Sequence, residues 1–197
     1  MEESPRIEQI DKDLGSMIER LLENSSVTHL NLISYKPEGG YFRKLPIYAE
    51  LIEVSKIKNL DKIPNKNQSR VGLSSLVRLS NGSVAHIKQL DLDWEIQDMG
   101  GFFQKIKNLK LGEEIGYLVE SGKGYHYYGE GLLTPEGWID WMKKAENSGE
   151  VDKDWITCSK ERGYSVLRIN TTEEKPIRPK PICRLQSSEG LYIFLSQ

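Results

Sequence analysis

Residues 76–96, LVRLSNGSVAHIKQLDLDWEI, decide how the chain reads. Two runs of alternating apolar and polar residues flank Asn81-Gly82, a dipeptide that tolerates the positive φ of tight two-residue turns. The stretch is therefore predicted to be a β-hairpin. Its second strand runs straight into Leu90-Asp91-Leu92-Asp93-Trp94-Glu95. Side chains alternate along a strand with a period of two, so Asp91 and Asp93 share one face at the strand's end. Two hard oxygen donors at that spacing suit magnesium or manganese. A solvated strand end is the competing reading of an isolated Asp-x-Asp, and Trp94 reads as an anchor in the core.

Outward from the hairpin the pattern is α+β. Ile7, Ile10, Leu14, Ile18, Leu21 and Leu22 recur at helical spacing between Ser4-Pro5 and Asn24, predicting an opening amphipathic helix within residues 1–24. VTHLNLISY and YAELIEVSKI alternate as strands, separated by the turn composition KPEGG, and NLDKIPNKNQSR reads as a loop. GGFFQKIKNLKLG predicts a helix carrying Phe102, Phe103, Ile106 and Leu109, with Gly112 as its stop. A further strand is IGYLV. TPEGWIDWMKKAENSG predicts another helix, capped by Thr134 with Pro135 in its first turn. YSVLRIN is a strand, KPIRPKPI an extended segment and LYIFLS a final strand. No internal repeat or interdomain linker stands out, so residues 1–197 are expected to form a single domain.

Composition narrows the function classes. The 197 residues are 38% hydrophobic and 28% charged with a formal net charge of -2, which excludes a disordered chain and a strongly basic nucleic-acid coat. Nucleic-acid contact is then confined to local patches. Cys158 and Cys183 stand far apart without a neighbouring histidine, which argues against a zinc module and a disulfide framework. A reducing, cytoplasmic setting is expected. The acidic N-terminal MEESPRIEQIDKD and the lack of a long apolar run predict neither secretion nor a membrane span.

Two more constellations bear chemistry. In SGKGYHYYG, residues 121–129, glycines let backbone N–H groups approach an anion, and Lys123 adds a mobile positive charge. Such a loop suits a triphosphate. It is not a Walker A loop, because five residues separate Gly116 from the Gly-Lys pair and Gly124 stands where Ser or Thr would meet magnesium. His126 is a candidate phosphate donor or a histidine satisfied by polar neighbours, and Tyr125, Tyr127 and Tyr128 read as packing. In DKDWITCSKERGYSVLRIN, Asp152 or Asp154 is a third carboxylate or a helix cap. Arg168 has the multi-donor fork that suits phosphate or a salt bridge.

Taken in order, these elements run Asp-x-Asp at a strand end, a helix, a strand then Ser-Gly-Lys-Gly-x-His, and an Asp before an Arg-bearing strand. That order resembles the catalytic core of the archaeo-eukaryotic primase superfamily over about residues 84–175. SGKGYH is similar to the Ser-Gly-Gly-Lys-Gly-x-His form of the polymerase domain of bacterial ligase D proteins, with one glycine fewer. RINTT departs from the family's Arg-x-Pro-Gly-Ser, and no zinc-binding element or attached helicase, ligase or nuclease domain is visible.

The resemblance implies a primase-like α+β core, a palm of mixed or antiparallel sheet resembling an RNA-recognition motif and flanked by helices. It implies a primase-polymerase type nucleotidyltransferase, moving a nucleoside triphosphate onto a 3′-hydroxyl on a single-stranded DNA or RNA template. Asp91, Asp93 and Asp154 or Asp152 would hold two Mg2+ or Mn2+ ions, and Ser121, Lys123, His126 and Arg168 would bind the nucleotide. Lys105, Lys107 and Lys110, or Arg178, Lys180 and Arg184, are candidates to track the template backbone. A role in replication or repair with a partner protein belongs to the same reading. The alternative is a non-catalytic nucleotide- or nucleic-acid-binding accessory protein on the same scaffold; a nuclease or phosphatase using the Asp pair is more remote. Residues 1–80 carry no functional assignment.

Overall fold

The computed structural model describes residues 13–35, 48–57, 70–95, 99–109 and 116–185. The architecture is α+β: an eight-stranded antiparallel sheet flanked by helices. In chain order the elements are α1 (Leu14–Leu22), β1 (Val27–Tyr35), β2 (Tyr48–Glu53), β3 (Arg70–Leu79), β4 (Val84–Leu92) and α2 (Met99–Asn108). There follow β5 (Gly116–Glu120), β6 (Tyr125–Leu133), α3 (Pro135–Ser148), α4 (Lys153–Arg162), β7 (Val166–Arg168) and β8 (Lys180–Leu185). The strands lie in the order β2-β1-β3-β4-β6-β5-β8, with β7 joined to β3. None of the described helices is long and apolar enough to cross a membrane.

The hairpin forms as β3 and β4, with a different turn. Leu79 N–H donates to Ser83 O at 2.9 Å and Gly82 N–H to Leu79 O at 3.0 Å, leaving Ser80, Asn81 and Gly82 as a three-residue loop. Gly82 takes the left-handed conformation at φ 84. The Asn81 carboxamide turns inward instead, its Oδ1 accepting the Ser83 N–H at 3.0 Å and hydroxyl at 2.7 Å. That side-chain closure favours a turn followed by one left-handed glycine over the two-residue form.

β3 and β4 stay paired only from Leu76–Arg78 to Val84–His86, and β7 then takes β4's place beside β3 at Gly72–Ser74. A buried polar network fills this fork. Ser75 N–H donates to Ser165 O at 2.8 Å, Ser165 N–H returns to Ser75 Oγ at 3.0 Å, and Ser165 Oγ donates to Gln89 Oε1 at 3.1 Å. Ser75 Oγ also lies 3.1 Å from His86 Nδ1, while the His86 ring stacks on Trp138 of α3 at 4.9 Å. Burial holds His86 down at about 4, from 6.5. The folded protein therefore keeps His86 neutral where the unfolded chain binds a proton, and stability falls as pH drops from 6.5 toward 4. Unfolding by denaturant at both ends of that window should show the parent losing about 3 kcal/mol more than His86→Gln.

The remaining elements follow local signals. Thr134 caps α3, accepting the Gly137 N–H at 3.1 Å, with Pro135 opening the helix. Asp152 caps α4 through Trp155 N–H at 2.6 Å, so the segment after Val151 is helical before β7 begins. YAELIEVSKI is a strand only to Glu53, after which residues 54–57 tighten into a 3₁₀ turn. Arg70, read as the end of a loop, opens β3. Ile7, Ile10, KPEGG, Gly112 and LYIFLS lie outside the described residues, as do the side chains of Phe103 and Lys110.

Burial separates the two faces of β4. His86 stacks on Trp138, Lys88 lies 5.8 Å over Trp141, and Tyr127, opposite Leu90, is 6.3 Å from the same indole. α3 thus covers the face bearing residues 86, 88 and 90. Asp91 is one residue out of phase and faces the other way.

Candidate functional site

Strand register brings the first two constellations together. Asp91 pairs with His126 and Leu92 with Tyr125 across β4 and β6. Asp91 Oδ1 and His126 Nε2 are 3.9 Å apart, too far for a hydrogen bond but on one face. The 121–124 turn then lies over the end of β4. Ser121 closes that turn by donating to Gly124 O from both its N–H, at 2.9 Å, and its Oγ, at 3.0 Å. Gly122 is left-handed at φ 112, and Lys123 projects outward, exposed.

Gly124 has no room for a side chain. A Cβ there would stand 2.6 Å from Leu92 O and 3.4 Å from Asp93 Cα. Gly124→Ala must push the end of β4 away and move Asp93 with it. The expected cost is about 1 to 3 kcal/mol, measurable as a lower unfolding midpoint.

A further carboxylate acts on Asp91 from the cap of α4. Asp152 N–H donates to Asp91 O at 3.1 Å, and the Asp152 and Asp93 charges both act on Asp91. Asp154, two residues on, is exposed in the first turn of α4. Burial first, then Asp152 and Asp93, push the Asp91 carboxyl up to about 7, against the pull of Lys175 and Arg168. The side chain nonetheless keeps 36% of its exposure, so its oxygens remain reachable.

His126 is only 4% exposed, and burial, with Arg168 and Lys175 nearby, holds it down at about 3. It is a neutral imidazole, and its Nδ1 has no hydrogen-bond partner among the described residues. A buried ring nitrogen without a partner is uncommon in a folded chain.

Arg168 is spent on backbone. Nη2 donates to Ser121 O at 2.5 Å, while Nη1 donates to Ile177 O at 3.0 Å and to Asn170 O. Its fork ties the 121–124 turn to the strap 170–177. Glu174 of that strap bonds Arg70 at 2.6 Å, and Thr172 and Lys175 close a turn on each other's backbone at 3.0 and 3.2 Å. The strap also carries Lys175, whose positive charge acts on both Asp91 and His126.

Lys175, Arg70 and Tyr35 are neighbours that sequence reasoning missed. The Tyr35 phenol, at the end of β1, is pushed up to about 12 by burial, among Arg70, Asp91 and Arg168. A lone lysine before a proline and a tyrosine in a strand carry no local signal of this. Of the proposed template cations, Lys105 is bonded to Glu150 at 3.2 Å and Arg184 to Glu130 at 2.8 Å. Lys107 and Lys180 are exposed.

Among the described residues, no group of three or more His, Cys, Asp and Glu side chains forms a metal cage. The donor set fits a divalent ion in another way. Asp91 is a partly open carboxylate on which the Asp152 and Asp93 charges act, and hard oxygen donors of this kind suit Mg2+ or Mn2+ completed by water and substrate phosphates.

No curated protein matches the chain. Among solved structures, the AEP domain (PP-N190) of the cyanophage S-2L primase-polymerase, PrimPol, is similar over 91% of both chains with a TM-score of 0.52 and 11% identity. At that identity the likeness shows the shared fold. The family model for the AEP-like, archaeo-eukaryotic primase 1D-like domain matches residues 48–180, which takes in β2 and β3 as well as the motif-bearing core. From β2 to the start of β8, then, the chain belongs to the archaeo-eukaryotic primase 1D-like family.

Proposed function

We propose that the protein is a primase-polymerase type nucleotidyltransferase that joins a nucleoside triphosphate to a 3′-hydroxyl on a single-stranded template. The observation that carries this reading is the cross-strand pair Asp91–His126, with the Asp93 and Asp152 charges acting on Asp91, the Lys175 charge acting on both, and the 121–124 turn against the end of β4. Carboxylates for cations and neutral or cationic donors for phosphate meet at one sheet end.

Asp91, Asp93 and Asp152 would hold two divalent ions, which when bound supply activation of the 3′-hydroxyl and charge neutralisation at the leaving pyrophosphate. His126, kept neutral, donates a ring N–H to a phosphate oxygen without competing for the carboxylates. Lys123 and Lys175 add positive charge from the turn and from the strap. Arg168 acts through the two backbone segments it joins. Catalysis is then positioning and electrostatics, with no covalent intermediate on the protein.

Labelled nucleotides offered with Mn2+ or Mg2+ on primed and unprimed single strands test the reading, with product length read on a gel. Extension supports it. Triphosphate binding without any incorporation would instead establish the accessory, non-catalytic reading. His126→Ala should weaken triphosphate binding about 10- to 100-fold, the range for losing a hydrogen bond to a charged group, and leave Mn2+ affinity in place. Isothermal titration with each ligand checks this.

A further inference from the structure

We propose that Glu150 is a positioning residue for the metal-binding carboxylates, acting through Trp94 and Asp152. The inference rests on the metal-dependent reading above and concerns a residue, Glu150, outside the three constellations. Glu150 lies in the short connection between α3 and α4, and its side chain is only 13% exposed. Both of its carboxylate oxygens are engaged by α2: Asn108 Nδ2 donates to Oε1 at 2.7 Å and Lys105 Nζ to Oε2 at 3.2 Å.

Its backbone carbonyl reaches the other way. It accepts the Trp94 indole N–H at 2.7 Å. Trp94 directly follows Asp93 and is itself boxed in, 2% exposed, with Phe102 edge-on at 6.1 Å and the Lys105 ammonium 5.8 Å over its ring. Two residues after Glu150, the Asp152 N–H donates to Asp91 O. Glu150 thus stands between two bonds that set the geometry of the cluster, one fixing the strand end after Asp93 and one fixing Asp152 against Asp91.

The consequence is physical. Three carboxylates that repel one another spread unless the backbone holds them, and a partly built metal site binds tightly only when its donors are already in place. With Glu150 anchored on α2, the 149–152 connection cannot drift, and neither can Asp152. Removing the anchor leaves every metal donor present but loosens the spacing between them.

Manganese titration of the 197-residue chain by electron paramagnetic resonance tests this, with triphosphate binding in the absence of metal and thermal melting run in parallel. Glu150→Ala should lower Mn2+ affinity about tenfold, the low end for groups that orient metal ligands, with triphosphate affinity unchanged. Glu150→Gln keeps the shape and the Asn108 contact and should fall between the two. It carries the test should the alanine variant fail to fold. Equal Mn2+ affinity in the folded variants and the parent would overturn the role of Glu150 alone. Parallel loss of Mn2+ and triphosphate binding would reduce it to general packing. A parent that binds no Mn2+ would overturn this inference and the metal-dependent function together.

Discussion

Replacing Asp91 by Asn should lower nucleotide incorporation about a thousandfold and at the same time raise the melting temperature of the metal-free protein. The first effect follows from charge: Asn keeps the shape but removes one anionic donor, and several kcal/mol of charge stabilisation at the reacting phosphate, about 4 in round terms, correspond to three powers of ten in rate. The second follows from what surrounds the carboxyl. Burial and the neighbouring Asp152 and Asp93 charges oppose its ionisation, so a neutral amide relieves the folded state near neutral pH. With 36% of the side chain open to water, solvent screening reduces that relief to about 1 kcal/mol, or about 3 °C. Added Mn2+ should reverse the order, because an ion that binds only the folded parent raises its stability by mass action. Gel-based extension assays and melting curves with and without Mn2+ read both effects. Full activity in Asp91→Asn would remove Asp91 from the metal site.

Arg168→Met should destabilise the fold by about 3 to 4 kcal/mol, the largest stability change among the site residues. The side chain is 8% exposed, and its guanidinium serves the carbonyls of Ser121, Asn170 and Ile177. Hydrogen bonds from a charged donor contribute about 1.5 to 3 kcal/mol each and do not simply add; losing the donor strands the buried carbonyls of Ser121 and Asn170 and frees that of Ile177. Arg168→Lys distinguishes charge from geometry. An ammonium keeps the positive charge near Asp91 but lacks the planar fork that spans three acceptors in different segments. Lysine should therefore recover little of the stability, and triphosphate affinity should fall with it as the strap and the 121–124 turn separate. If lysine restores both, Arg168 acts as a charge on the nucleotide, as the family resemblance alone would have it.

The local chemistry of the chain was legible where neighbours in sequence are neighbours in space. Asn81-Gly82 placed the β3–β4 hairpin and Thr134-Pro135 the start of α3, whereas Asp93 falls just past the end of β4, where the period of two no longer applies. The loop form was missed because the Asn81 side chain, rather than its backbone, closes the turn. The order of motifs along the chain pointed to the family, since spacing between motifs is a linear property.

What only the tertiary structure decided lies in contacts between distant segments. Asp152 rather than Asp154 meets Asp91 because the cap of α4, a single backbone position, is what docks on the end of β4. Arg168 reads as a phosphate fork in sequence and is a backbone clamp in space, because the carbonyls it satisfies belong to residues 121, 170 and 177 and carry no side-chain signature. The Lys175 charge acts on Asp91 and His126 from a strap held by that clamp and by Arg70–Glu174. Side-chain pattern is written along the chain, whereas the pairing of buried backbone groups is settled only when the sheet closes and every donor must find an acceptor.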